Sequence, residues 1–524
     1  MARESGAFGA VAAGHEETAR AAADILMAGG NAFDAAIAAV MTACVVEPVL
    51  ASLGGGGFLL ARSADRPNDP VLYDFFTQTP KQRRRGGEVE FFPVLADFGT
   101  ATQEFHIGGG ACATPGMAAG IGAVQRDLCR MAAGEHFAHA LKVARDGVHV
   151  SDFQSFLFSV VSAIYSFDPA SIQCFGAADG GLAPKGALVK NPDFATTLEA
   201  LAHEGVSLFS HGEIATEISE FSRQHGGHLS QQDLAGYRVE RRVPLQFTYN
   251  GAKIATNPSP STGGLLIAFA LKLMEKTGYG STEPGTHGVT DDEALAHIMA
   301  ATNSARVESG LSDLKNGAGD VLLDAGFLAT YEAEILGRPR ALRGTTHISV
   351  VDAAGNAASV TLSNGEGCGR MLPKRGFMLN NMLGEEDINP LGFHAWPLDV
   401  RLCSMMSPSL VLEDAGIVTA LGSGGSNRIR TAVLQVVSNL LDHGMDVATA
   451  VRKPRLHFES NVLNIEGPRP KSEVGDLESI SPQALYWDVP NMFFGGVHAV
   501  QYNPGTQIYD ASGDPRRGGL AIVC

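Results

Sequence analysis

An α/β fold with one continuous core is what this sequence predicts, and three observations carry that expectation. Residues 8–62 read as strand, helix, loop and strand. Residues 343–369 alternate with period two on either side of a turn, the pattern of a β-hairpin. Helix-periodic stretches such as Asp193–His203 and Leu265–Lys276 lie between them. Length alone would divide 524 residues into about three domains of ~150 residues. No linker is visible, so the chain is read as one body.

Taken in order, the first helix is expected from about Glu16 to Met27, stopped by Gly29-Gly30. Asn31-Ala-Phe-Asp34 then opens an apolar helix that runs through Val46 and breaks at Glu47-Pro48. The run Gly54–Gly57 leads into Phe58-Leu59-Leu60. It precedes a strand rather than a helix N-terminus and no GK[ST] follows, so it is not read as a phosphate cradle. Two HxxH pairs, His136/His139 and His225/His228, lie outside any HExxH frame and away from cysteines, and are read as surface or core histidines. There is no GxSxG elbow and no internal repeat. Thr431–Leu441 reads as a core helix.

Composition excludes several classes of function. A formal net charge of −17 and a pI near 5.4 argue against a nucleic-acid partner, because phosphate binding needs clustered Lys and Arg. The short run from Lys81 to Arg85 is read as a solvated loop. The seven cysteines are scattered and form no CxxC pair; they fit neither a disulfide framework nor a zinc site, and match a reducing compartment. The N-terminus lacks the charged-then-apolar order of a signal peptide. The longest apolar run, Ala35–Val46, falls short of the ~18 residues that span a bilayer. A soluble, cytoplasmic protein with no membrane partner is therefore expected.

The hairpin runs RGTTHISVVDAAGNAASVTLSNGEGCG from Arg343 to Gly369. Ile348 and Val350 face one way and His347, Ser349 and Val351 the other. Threonine is a good strand residue, so Thr345 and Thr346 need no chemical explanation by themselves. Gly344, however, carries no Cβ and would let the hydroxyl of Thr345 approach the peptide carbonyl before it.

Thr345–Asn356 also matches Thr-Thr-His-x-Ser-Val-Val-Asp-x-x-Gly-Asn throughout, and so resembles the start of the small subunit in the gamma-glutamyltranspeptidase family. The pattern GGNAxDAAIAA…VVEP…GGGGF near the N-terminus resembles the start of that family's large subunit. Likeness continues at Ala113–Gly116, Ala144–Gly147, Asp233–Tyr237 and Pro258–Gly264, and thins after about residue 460. The resemblance implies the N-terminal-nucleophile fold, two sheets sandwiched between helical layers (αββα). It also implies self-cleavage at Gly344–Thr345 into a large subunit, 1–344, and a small one, 345–524, that form one body. A threonine hydroxyl is a weak nucleophile and needs a base. The α-amine freed on Thr345, with a reference pKa near ~8, would supply one.

Further roles follow from the resemblance, residue by residue. Ser363 takes the place of a threonine that hydrogen-bonds the nucleophile, and Asn364 that of an asparagine that touches substrate. Leu379–Asp387 resembles LNNxMDDF, whose aspartate binds the substrate amine; Glu385 aligns with it and Glu386 is its neighbour, with a solvent-exposed acidic loop as the alternative. Leu421–Arg428 resembles a segment in which Gly424 and Gly425 would hold the oxyanion through backbone amides. In the carboxylate clamp the chain departs: Phe76 replaces the arginine, Ser404 keeps the first serine, and Met405 replaces the second. A phenylalanine cannot make a charge-assisted fork to a carboxylate, so Arg370 or Arg401 would have to serve, or the substrate would lack that group.

The activity implied is acyl transfer from a small amide such as glutathione to water or an amine, without metal or organic cofactor. An amidase for another acyl group (oxamate-type, cephalosporin or glutaryl) and a non-catalytic binding protein on the same scaffold are the alternatives. Many members of the family are exported, so a trimmed N-terminus would point to the periplasm instead.

Overall fold

The computed structural model of the chain describes residues 6–84, 86–97, 102–178, 180–277, 291–309, 344–389, 391–459, 461–469 and 483–524, with 279, 323, 477, 480 and 481 as single positions. Arg343 and Arg85 lie outside the described residues. Two antiparallel sheets form the centre. The first has seven strands in the order Leu520–Val523, Gly9–Ala13, Thr346–Asp352, Ala357–Ser363, Gly56–Arg62, Val71–Phe75, Glu240–Arg242. The second has six, in the order Ile508–Ser512, Gly496–Asn503, Val418–Gly424, Ser409–Leu412, Ala252–Thr256, Leu245–Tyr249. Both sheets mix strands from before and after Thr345.

The hairpin shows why the sheets meet as they do. Ile348, Val350, Ala358, Val360 and Leu362 share an apolar cluster with the helix Ala32–Val46, every residue of which is buried. That helix starts three residues earlier than the apolar run because Asn31 caps it: its side chain accepts from the N–H groups of Phe33 and Asp34, while Asp34 accepts from Asn31 N–H. The other face of the hairpin is small and polar. His347 lies between the hydroxyls of Thr361 and Ser349 at 2.8 and 2.9 Å. Ser349 donates to His498 O at 3.1 Å and Ser359 to Leu421 O at 2.9 Å, both on the opposing sheet. Gly422 packs on the His347 ring, where a Cβ would overlap it. Burial holds the His347 imidazole well below its usual pKa, aided by nearby His498. Along the hairpin the sheets thus face each other through short side chains, while Phe58, Leu60 and Leu72 further across the first sheet join the second sheet's apolar cluster.

Helices Glu16–Met27 and Ala32–Val46 pack on the first sheet, and Gly263–Thr277, Arg428–Leu441 and Val447–Arg452 on the second. The run Gly54–Gly57 is a packing surface: a Cβ on Gly55, Gly56 or Gly57 would overlap Ser363 O, Phe75 O or Thr361 O. His136 is a core histidine, held by Asp34 and Gln125, each at 2.9 Å. Among the described residues no helix is long and apolar enough to cross a membrane.

Candidate active site

The peptide linking Gly344 to Thr345 lies just before the strand Thr346–Asp352, and both residues are buried. Pairing of Thr346 with Leu362 carries Ser363 past the end of the ladder, beside this peptide. The Ser363 hydroxyl donates to Gly344 O at 2.8 Å and accepts from Gly365 N–H at 3.1 Å. Gly344 N–H donates to Glu366 Oε1 at 2.9 Å. On the far side, Arg517 Nη1 donates to Thr345 O at 3.2 Å.

The strand Val418–Gly424 ends against the same carbonyl. A Cβ on Gly424 would overlap Thr345 O, so only glycine admits this approach. Gly425 has φ +121°, a conformation side chains rarely adopt, and it faces Arg517. The structure therefore brings Thr345, Ser363, Gly424 and Gly425 together.

Asn364 is fully buried, and neither its amide nitrogen nor its oxygen has a partner among the described residues. The two acidic candidates separate. Glu385 is buried, with Oε1 packed against Gly365 beside Asn381, whereas Glu386 is exposed. Asn381 Oδ1 accepts from Glu366 N–H at 2.9 Å, tying this loop to the Ser363–Glu366 turn. Ser404 Oγ accepts from Met406 N–H at 3.0 Å, and Ser404 O from Thr262 N–H at 2.9 Å.

The clamp positions are apolar. Phe76 is buried and stacked on Phe58 with ring centroids 5.5 Å apart, and it shares an apolar cluster with Met405. Neither arginine named as a substitute stands unengaged. Arg401 donates to Phe76 O, to the Tyr237 hydroxyl and to Arg238 O, and lies over the Tyr237 ring at 4.5 Å. Arg370 grips Glu90 at 2.5 and 3.1 Å and covers the Phe167 ring.

Three residues beside Thr345 carried no functional signal in the sequence. Glu366 stands where the family pattern loosens, and Arg517 where it has thinned. Glu47 read as a helix breaker within the pattern VVEP, with no role attached. Its carboxylate accepts from Thr346 at 2.7 Å and from Thr18 at 2.9 Å. Burial raises its pKa to about 7, against the two hydroxyls and the charge of Arg517. Burial also brings Arg517 down to about 10.

A glycine pair and a buried threonine meet at one peptide bond, with a hydroxyl on the preceding carbonyl. The chain belongs to the gamma-glutamyltranspeptidase family, whose model (Gamma-glutamyltranspeptidase) matches residues 18–524, and it is an enzyme of the gamma-glutamyltransferase and glutathione hydrolase type. It is 29% identical to the glutathione hydrolase proenzyme of Escherichia coli (strain K12), covering 94% of this chain and 88% of the relative. It is likewise 29% identical to the acylase ACY 1 proenzyme of Pseudomonas sp. (strain SE83), over 99% and 95%. In fold it resembles the cephalosporin acylase from Bacillus halodurans, with a TM-score of 0.83 at 21% identity, covering 100% of this chain and 97% of that one.

Proposed function

We propose that the chain cuts itself between Gly344 and Thr345, and that Thr345 then moves a gamma-glutamyl or related acyl group from a small amide such as glutathione to water or an amine. The two facing sheets with helices on their outer faces are, in this reading, the αββα sandwich of N-terminal-nucleophile hydrolases. The observation that supports it best is the set of contacts around one peptide: Ser363 on the carbonyl before the threonine at 2.8 Å, and Gly424 against the carbonyl after it.

In the precursor, Thr345 Oγ adds to the Gly344 carbonyl carbon while Ser363 polarises the oxygen. The C–N bond breaks, the amine departs with the hydroxyl proton, and water hydrolyses the resulting ester. The freed α-amine of Thr345 then serves as general base for the same hydroxyl. Substrate amide is attacked by Oγ, backbone amides of Gly424 and Gly425 bear the developing negative charge, and the leaving amine takes the proton. Water or an amine releases the acyl group. Asn364 and Glu385 would bind the substrate's polar end, with Ser404 in the clamp.

Mass spectrometry of the purified protein tests this. Two fragments, 1–344 and 345–524, are expected from the wild type, and one intact, inactive chain from Thr345→Ala. An intact wild-type chain with amidase activity would overturn the mechanism.

A second reading is favoured by the apolar clamp. With Phe76 and Met405 in place and Arg370 and Arg401 engaged elsewhere, the same machinery would act on an amide whose acyl group has no α-carboxylate.

A further inference from the structure

The sheet ladder holds residues 346–352 of the nucleophile strand but not Thr345. While Gly344 is attached, the chain on both sides restrains Thr345. Once that bond is broken, the N-terminal side is free, and the orientation of the hydroxyl and amine depends on what grips the remaining carbonyl. That grip comes from Arg517, buried in the turn Pro515–Arg517, with Nη1 3.2 Å from Thr345 O. Its Nε and Nη2 have no hydrogen-bond partner among the described residues. The adjacent Asp514 is already engaged by Arg455 at 2.6 Å and Arg516 at 3.2 Å. The guanidinium also lies against Gly424 and Gly425, and the Arg517 stem against Gly496, filling the space their missing side chains leave.

We propose that Arg517 is the positioning residue of the nucleophile: it fixes the cleaved Thr345 by its carbonyl and, as a neighbouring positive charge, favours the neutral, basic form of the α-amine. The proposal rests on the reading of Thr345 as an N-terminal nucleophile. A like charge a few ångströms from an amine lowers its pKa, and a base must be unprotonated to act. The groups facing Arg517 are Glu47 at the end of the helix Ala32–Val46, Arg428 at the start of the next sheet's helix, Arg455, His498 and Asp514. Glu366 faces the Gly344 side. Arg428 and Arg455 add to the positive field, Glu47 and Asp514 oppose it, and burial holds His498 neutral with a pKa of about 4.

The test compares Arg517→Lys and Arg517→Gln with wild type, following kcat and KM against pH on gamma-glutamyl and 4-aminobutyryl p-nitroanilides. Lysine keeps the charge but loses the planar guanidinium that packs against Gly424 and Gly425; glutamine keeps a donor but loses the charge. Arg517→Lys should leave the acid limb of kcat/KM in place and lower kcat about 10- to 100-fold with KM little changed. Arg517→Gln should move the acid limb to higher pH by about one unit. Wild-type kcat in the lysine variant, or an unmoved acid limb in the glutamine variant, would overturn the proposal. Should the glutamine variant fail to fold, the kcat-against-KM split of the lysine variant decides alone. A wild-type protein that stays uncut or hydrolyses neither anilide refutes the Thr345 reading instead, so the two failures are distinct.

Discussion

The Ser363 hydroxyl donates to the Gly344 carbonyl at 2.8 Å, across the peptide bond that precedes Thr345. A donor on that oxygen stabilises the negative charge that develops when Oγ adds to the carbon. Ser363→Ala should therefore slow self-cleavage about 100-fold, and Ser363→Thr should restore most of the rate. Time courses of fragment formation on a gel measure both. Equal rates for serine and alanine would remove Ser363 from the mechanism.

The acidic pair gives an asymmetric prediction. A hydrogen bond to a charged group contributes about 1.5–3 kcal/mol, so Glu385→Gln should raise KM roughly 10- to 100-fold with cleavage spared. Glu386→Gln, at an exposed position, should change KM less than about twofold. Steady-state kinetics of the two variants on gamma-glutamyl p-nitroanilide checks this, and the reverse order would place the substrate amine elsewhere.

The pH dependence of stability should reveal Glu47. Its folded pKa is raised to about 7 from the ordinary 4.5, so the folded state keeps a proton that the unfolded state releases. The stability linked to this group is fully present below about pH 4.5 and is lost as pH rises towards 7. Glu47→Gln cannot titrate, so its melting temperature relative to wild type should climb between pH 4.5 and 7 and level off above. A difference independent of pH across that window would show that Glu47 ionises normally.

Gamma-glutamyl and 4-aminobutyryl p-nitroanilide differ only in the α-carboxylate, and they separate the two substrate readings. Placing a carboxylate against Phe76 and Met405 without a cation costs several kcal/mol in desolvation. The 4-aminobutyryl compound should then show the higher kcat/KM. A strong preference for the gamma-glutamyl compound would mean that a cation other than Arg370 and Arg401 reaches the site.

What the sequence made legible was local. The hairpin Thr346–Ser363, the cap at Asn31 and the departure at Phe76 each follow from a short run of residues whose spacing carries its own physics. Contacts between distant segments were not legible. Glu47 meets Thr346 and Arg517 meets Thr345 only because the sheets bring the helix Ala32–Val46 and the turn Pro515–Arg517 to the start of one strand. Glu385 and Glu386 could not be told apart either, since they lie at the junction of two short 3-10 turns and no helical or strand period says which one points inward.

The strand order carries a consequence for the life of the molecule. Thr346–Asp352 is clasped between Gly9–Ala13 and Ala357–Ser363, and the second sheet likewise takes Leu245–Tyr249 and Ala252–Thr256 from ahead of the cut. A break at Gly344 leaves these pairings in place, so dilution cannot part the pieces while the fold persists. Refolding is another matter. The uncut chain finds its partners at the high local concentration of a single polymer, but a cut molecule that unfolds must recover them as two solutes. Maturation would then be a one-way passage: the working enzyme endures by the slowness of its unfolding rather than by its ability to fold again.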